Sequence, residues 1–382
     1  MTAAPIASPA PGIVGGAPDP PKDHRGSWVP TLSLITTRIM EIRKRRGLMI
    51  ALIVVNIGIP GIFLTVRLLA HAFAPKSFGP AGGYSVFTGL VAGLMYVFGF
   101  IVAAVVGCSA GSTDLTDGMF RHLVVTGRSR LALYLARIPA GLAVVLPIVA
   151  GGFAMVCVVC VLAAPTVDSF DGVSMPAGLT LNGFEHWVLA HPNKALCNFN
   201  YSNINNVGCG GPSVRIKPGS PPPPGQPTPA QVRAALISVA EQNYQSYSYT
   251  FLKPPGSLMI DTGLWILLEA TIGFIVGLGL SSLLGQRTIA VVLMIVLELI
   301  LTPIFSRAHI PHFINFQRGI VGLAMAHIEP PALPLAFGGD MNGGSRAMQI
   351  VPESTEVAII VIVAWLVFWT VIGGWRMVKR DA

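Results

Sequence analysis

Two carboxylates stand inside apolar runs: Glu269 in a stretch from about Asp261 to Leu284, and Glu298 in one from Thr288 to Phe305. A charge at mid-membrane costs on the order of 2.5–3.5 kcal/mol even on the forgiving insertion scale, so such a side chain faces a cavity or a partner. At about 1.5 Å per residue, each lies roughly 10–14 Å below one end of its run. Similar depth on consecutive antiparallel helices could bring the two together. They either line a transport path that favours a cationic or hydrogen-bonding substrate, or form a protonated structural pair bonded to a neighbouring helix. Other reactive residues offer less. Cys157 and Cys160 form CxxC inside an apolar run, which suits packing rather than redox exchange. Pro311 breaks the helix that would hold His309 and His312 on one face, so they make a poor metal pair. Cys197 and Cys209, within the polar stretch CNFNYSNINNVGC, suit a disulfide in an oxidising compartment. No hydrolase arrangement can be assembled, and neither a metal nor a cofactor is expected in this chain.

Composition dictates the elements that carry these residues. The chain is 52% hydrophobic and 11% charged, against about 25% charged in soluble domains. It cannot cover itself with water-facing side chains, so an all-α integral membrane protein is expected. A crossing helix needs about 20 apolar residues, and six stretches qualify: 47–69, 86–108, 138–164, 261–284, 288–305 and 357–375. Residues 1–30, rich in Pro, Ala and Gly, are expected to form a disordered cytoplasmic tail. In 31–46, Leu32, Ile35, Ile39 and Ile42 share one helical face, which predicts an interfacial amphipathic helix. The net charge of +8 comes from basic residues beside apolar runs, which argues for positive-inside orientation rather than nucleic acid. Arg43 to Arg46, Arg287, and Arg376, Lys379 and Arg380 then fall on one side, with both termini cytoplasmic.

The opposite, extracellular side receives two long segments. Residues 165–260 form a large insert with a Pro-rich spacer at 217–230, followed by one amphipathic helix that carries Val232, Ala235, Leu236 and Val239. Residues 306–355 hold an apolar stretch, Gly319 to Ala326, too short to cross and suited to a helix dipping into the outer leaflet. Small residues recur every four positions at Gly99, Ala103, Gly107 and Gly111, and again at Gly273, Gly277 and Ser281. They serve either packing within the chain or a subunit interface.

The most informative segment lies between the second and third runs. Gly111 to Arg137 opens with Asp114 and Asp117 and passes Gly118, Phe120 and the apolar stretch Leu123 to Val125. It also carries Thr126 and the basic cluster Arg121, Arg128, Arg130 and Arg137. This predicts a short surface helix near 111–130 with a turn on each side, longer than a connector requires. In this segment the chain resembles the transmembrane subunit of the type-two, six-span ABC exporters. The likeness rests on Asp114, Gly118, Leu123 to Val125, Thr126-Gly127, Ser129-Arg130 and Arg137 at the family's spacing. Met119 and Gly127-Arg128 depart from that pattern, and the large insert lies outside it.

The resemblance implies a cytoplasmic coupling helix docking on a separate ABC ATPase subunit, which carries ATP and Mg. It also implies a second permease copy, identical or a sibling, in the cell membrane. The chain has no GxxxxGK[ST] loop to cradle phosphates, so it is expected to transduce force rather than catalyse. Two rival readings stand beside this one. The first is a proton-coupled secondary transporter using Glu269 and Glu298. The second is a membrane anchor for an extracellular interaction loop.

Overall fold

A computed structural model describes residues 29–74, 81–116, 129–164, 167–170, 173–176, 178–191, 229–297, 318–330, 333 and 353–379. Helix α1 (Leu32–Lys44) ends at Arg45, whose backbone (φ −78°, ψ 76°) leaves the helical region and separates it from α2 (Arg46–Phe73). Within α2 the helix widens to a π turn at Val54–Gly58. Pro60 explains this: it has no N–H for the Asn56 carbonyl, and its ring excludes that oxygen from the regular position. Gly152 fills the resulting crossing, since a Cβ there would collide with the Asn56 carbonyl.

A helical run over 84–116, here α3, contains a second π turn at Val91–Met95. Then follow α4 (Arg130–Leu162), the antiparallel hairpin β1 (Val167–Phe170) and β2 (Val173–Pro176), and α5 (Leu181–Ala190). The second half holds α6 (Pro229–Phe251), α7 (Gly256–Leu284), α8 (Arg287–Ile295), α9 (Val321–His327) and α10 (Thr355–Lys379). The architecture is helical, and four helices, α2, α4, α7 and α10, are long and apolar enough to cross a membrane. The second expected span corresponds to α3, whose apolar part is the shorter Tyr96–Ser112. Of the fifth expected span, the first part corresponds to α8, and 298–305 lie outside the described residues.

Helix α7 is the axis of the bundle, packing on α3, α10, α4 and α8. Its small residues meet those of α3 at backbone distance. A Cβ at Gly273 would lie 2.9 Å from the Phe100 carbonyl oxygen, and one at Gly111 would lie 2.6 Å from that of Leu278. Cβ atoms at Gly107 and Gly277 would strike the carbonyls of Phe274 and Ala104. The two stripes therefore close on each other within one chain. Gly99 departs from the stripe and faces α2, with the Asn56 Oδ1 atom 3.6 Å from where a Cβ would stand.

The insert after α4 carries more regular structure than its Pro-rich composition suggests. Phe184, Val188, Leu236, Ala240 and Tyr247 form a second core between α5 and α6, apart from the main one. The Tyr247 hydroxyl donates to the Pro176 carbonyl (2.7 Å) and accepts from the Leu179 amide (3.0 Å), tying hairpin to helices. The amphipathic helix expected after the spacer is α6, with Leu236 on its buried face. The module joins the bundle where the Tyr84 amide donates to the Leu252 carbonyl (2.9 Å).

Candidate functional site

Basic side chains gather at one end of the bundle, where α1 stops, α2, α4 and α8 begin, and α3, α7 and α10 finish. The Ser129 hydroxyl caps α4 by accepting from the Ala132 amide (3.2 Å), so the helix starts directly after the 117–128 segment. Arg130 donates to the Val378 carbonyl at the end of α10 (3.1 Å). One turn on, the Tyr134 hydroxyl reaches the Trp369 carbonyl at 3.4 Å. That ring rests on Gly373, where a Cβ would lie 2.9 Å from the Tyr134 Cζ atom. Arg137 is buried, 2% exposed, and donates to the Gly111 carbonyl of α3 (3.1 Å). The two described arginines of the segment thus clamp three helix ends together.

Asp114 lies on the last turns of α3, at the entry to the same segment. Asp117, Gly118, Phe120, Arg121, Leu123, Thr126 and Arg128 lie outside the described residues, as do Glu298, Cys197, Cys209, His309 and His312. The pairing of Glu269 with Glu298 and that of the two cysteines are therefore not addressed by the fold. Cys157 and Cys160 are free thiols on α4, with Cys160 fully buried in the main core.

Glu269 sits in α7, 13 residues after Gly256 and about 20 Å along the axis. That is deeper than expected, because α7 begins earlier than the apolar run. Trp265, Glu269, Gly273 and Gly277 are successive fourth residues and form one stripe. Gly273 and Gly277 touch α3, and Trp265 stacks on Tyr96 with centroids 5.1 Å apart, so this stripe faces the α3 seam. Glu269 is 3% exposed there. Above it, the Trp265 indole donates to the Met325 carbonyl of α9 (3.1 Å), and Val321 to Met325 are all buried. The short apolar segment expected to dip into the outer leaflet is thus a helix packed on α10 and tied to α7 by this bond.

Sequence reasoning missed two contributors, Tyr134 and Trp265, and did not foresee that Arg38 of α1 is buried and paired with Glu41 at 2.6 Å. Trp265 and Tyr134 looked like ordinary apolar-face aromatics. Arg38 carried a signal, a carboxylate three residues on at Glu41, which suits an i,i+3 pair. Compared with known proteins, the chain matches no family model, no curated protein and no solved structure.

Proposed function

We propose that the chain is the permease subunit of an ATP-driven ABC exporter in the cell membrane, with six spans and both termini in the cytoplasm. The clamp carries this reading: the segment 111–137 is anchored at Gly111 and Arg137 on one flank and at Arg130 and Val378 on another. A push on the segment is delivered to α3, α4 and α10 at once, as a coupling element requires. The charge supports the orientation. Arg43, Lys44, Arg45, Arg46, Arg130, Arg137, Arg287, Arg376 and Lys379 share one end of the bundle, against Arg67 and Lys253 at the other among the described residues. The engine is a separate ABC ATPase holding ATP and Mg, and a second permease copy completes the transporter. Glu269, buried on the α3–α7 seam, and Glu298 are the polar residues this reading assigns to the substrate path.

The test is co-purification of the full chain from its own membrane in mild detergent. An ATPase subunit and ATP hydrolysis should accompany it, and both should be lost in Asp114→Ala/Arg121→Glu while gel filtration stays unchanged. A chain that moves cargo with no such subunit overturns the proposal. Burial of Glu269 also suits the proton-coupled reading, in which transport would follow the pH gradient and ignore ATP. The separately cored insert module suits the anchor reading, in which deleting the spans' motion would leave binding intact.

A further inference from the structure

Helix α9 has only 7 residues, too few to persist alone in water, so its shape depends on what it docks against. Two indoles hold it. Trp365 of α10 donates to the Gly319 carbonyl just before its start (2.8 Å), and Trp265 of α7 donates to the Met325 carbonyl (3.1 Å). A further contact stands at its last residue. There the His327 Nδ1 atom lies 3.8 Å from a carboxylate oxygen of Glu353, just before α10 begins at Thr355. The indoles are donors only and do not titrate, whereas this contact does. The Glu353 side chain is 2% exposed, and among the described residues neither of its oxygens has a hydrogen-bond partner. The His327 Nδ1 atom is also 2.8 Å from the Leu323 carbonyl. A carbonyl can only accept, so Nδ1 carries a hydrogen, and the charge of the ring turns on Nε2.

We propose that His327 and Glu353 form a proton-operated latch: protonated His327 holds the end of α9 to the start of α10, and proton loss releases it. A buried carboxylate with no hydrogen bond is costly unless an opposite charge faces it, and an imidazolium ring supplies that charge. A neutral His327 keeps its bond to Leu323 but gives Glu353 nothing. The carboxylate must then take up a proton or reach water, and either way the ionic tie is gone. Both helix ends suit the charged pair, with the cation at the C-terminal end of α9 and the anion at the N-terminal end of α10. Histidine is the side chain that changes charge between about pH 5 and 8, so the latch closes on the acid side of that range and opens on the other. Among the described residues, the other charged groups around α9 are Arg318 before it, Glu329 after it, Glu356 on α10, and Asp261 and Glu269 on α7. Arg318, Glu356 and Asp261 are exposed, and Glu269 lies one turn beyond Trp265, which leaves the half-buried Glu329 to be separated by experiment. The latch does not rest on an ATPase partner. Under the orientation proposed above, it reads the pH outside the cell.

Hydrogen–deuterium exchange on the full chain in lipid nanodiscs tests this, read at about pH 5.5 and about pH 8 and corrected for the intrinsic pH dependence of exchange. The peptides to follow cover 321–328 and 353–358. Because α9 is helical only while docked, its amides report the latch directly. Their protection should be about fivefold higher in acid, the lower end of the coupling between a ligand and a two-state element. That difference should vanish in Glu353→Gln and, separately, in His327→Gln, and either variant carries the test if the other fails to fold. Glu356→Gln, exposed on the first turn of α10, should keep the parent's difference. Equal protection of the parent chain at both pH values overturns the latch, as does a difference that survives both substitutions. Loss of the difference in Glu356→Gln assigns it to general surface charge and overturns the pair. A difference lost in Glu329→Gln but kept in Glu353→Gln gives the proton another partner and overturns it as well.

Discussion

Glu269 and Tyr247 show two ways in which a polar side chain tolerates burial. Tyr247 has a donor and an acceptor on the hairpin side of the insert module. Burial pushes its phenol above the ordinary value of about 10. The neutral hydroxyl is the stabilising form, so its contribution is complete below that ordinary value and is lost only as pH rises through the raised one. The module should therefore hold unchanged from neutrality to about pH 9 and loosen only beyond about pH 10, as tyrosinate absorbance would report. Tyr247→Phe keeps the ring stack on Phe184 and orphans the Leu179 amide, at a cost of about 1–3 kcal/mol. Faster hydrogen exchange at Leu179 would read that loss. Glu269 is different: it is buried at the depth where charge is most costly. If it lines the path, Glu269→Gln should reduce transport at least tenfold while leaving ATP hydrolysis and thermal stability near parent values. Full transport in that variant would assign it to structure. Non-reducing mass mapping should join Cys197 to Cys209, and two free thiols would reject that pairing.

Among the elements, the α3–α7 contact decides whether the bundle closes. Here backbones meet with no side chain between them, so dispersion and weak Cα–H···O contacts act where lipid supplies no hydrophobic drive. Gly277→Leu would force the Ala104 backbone away, with overpacking costs of about 1–3 kcal/mol or more. Its melting temperature should drop and its detergent half-life shorten, whereas Gly151→Leu, facing open space, should be neutral. A chain indifferent to Gly277→Leu would place the stripe elsewhere. The four-residue spacing of Gly107, Gly111, Gly273 and Gly277 made this seam visible in the sequence, but periodicity could not say whether the partner stripe was in the same chain. The long apolar helices α2, α4, α7 and α10 were legible for a related reason, since membrane length and hydropathy leave little choice. The insert module was not. Its core joins α5 to α6 across a Pro-rich stretch, and such long-range pairing leaves no local period. The π turn at Val54–Gly58 could have been anticipated from Pro60. The clamp made by Arg130 and Arg137 could not, because a basic cluster reads the same whether it faces water, lipid or a carbonyl.

At the scale of the whole molecule, the bundle has a basic end tied tightly together and an opposite end carrying a small separate module. Arg130, Tyr134 and Arg137 make the start of α4 a joint shared by α3, α4 and α10. Under the proposed function, that joint is where force from a partner on the segment would enter the bundle. This reading requires the segment to meet an ATPase directly. The measurement that reaches this claim with fewest assumptions is photo-cross-linking from position 121, with a benzophenone amino acid replacing Arg121 in cells. The account predicts an adduct with a nucleotide-binding subunit, formed on the cytoplasmic face and changed in yield by ATP. An adduct formed only with an extracellular reagent or protein, or no ATPase adduct from a well-expressed and folded chain, would contradict it.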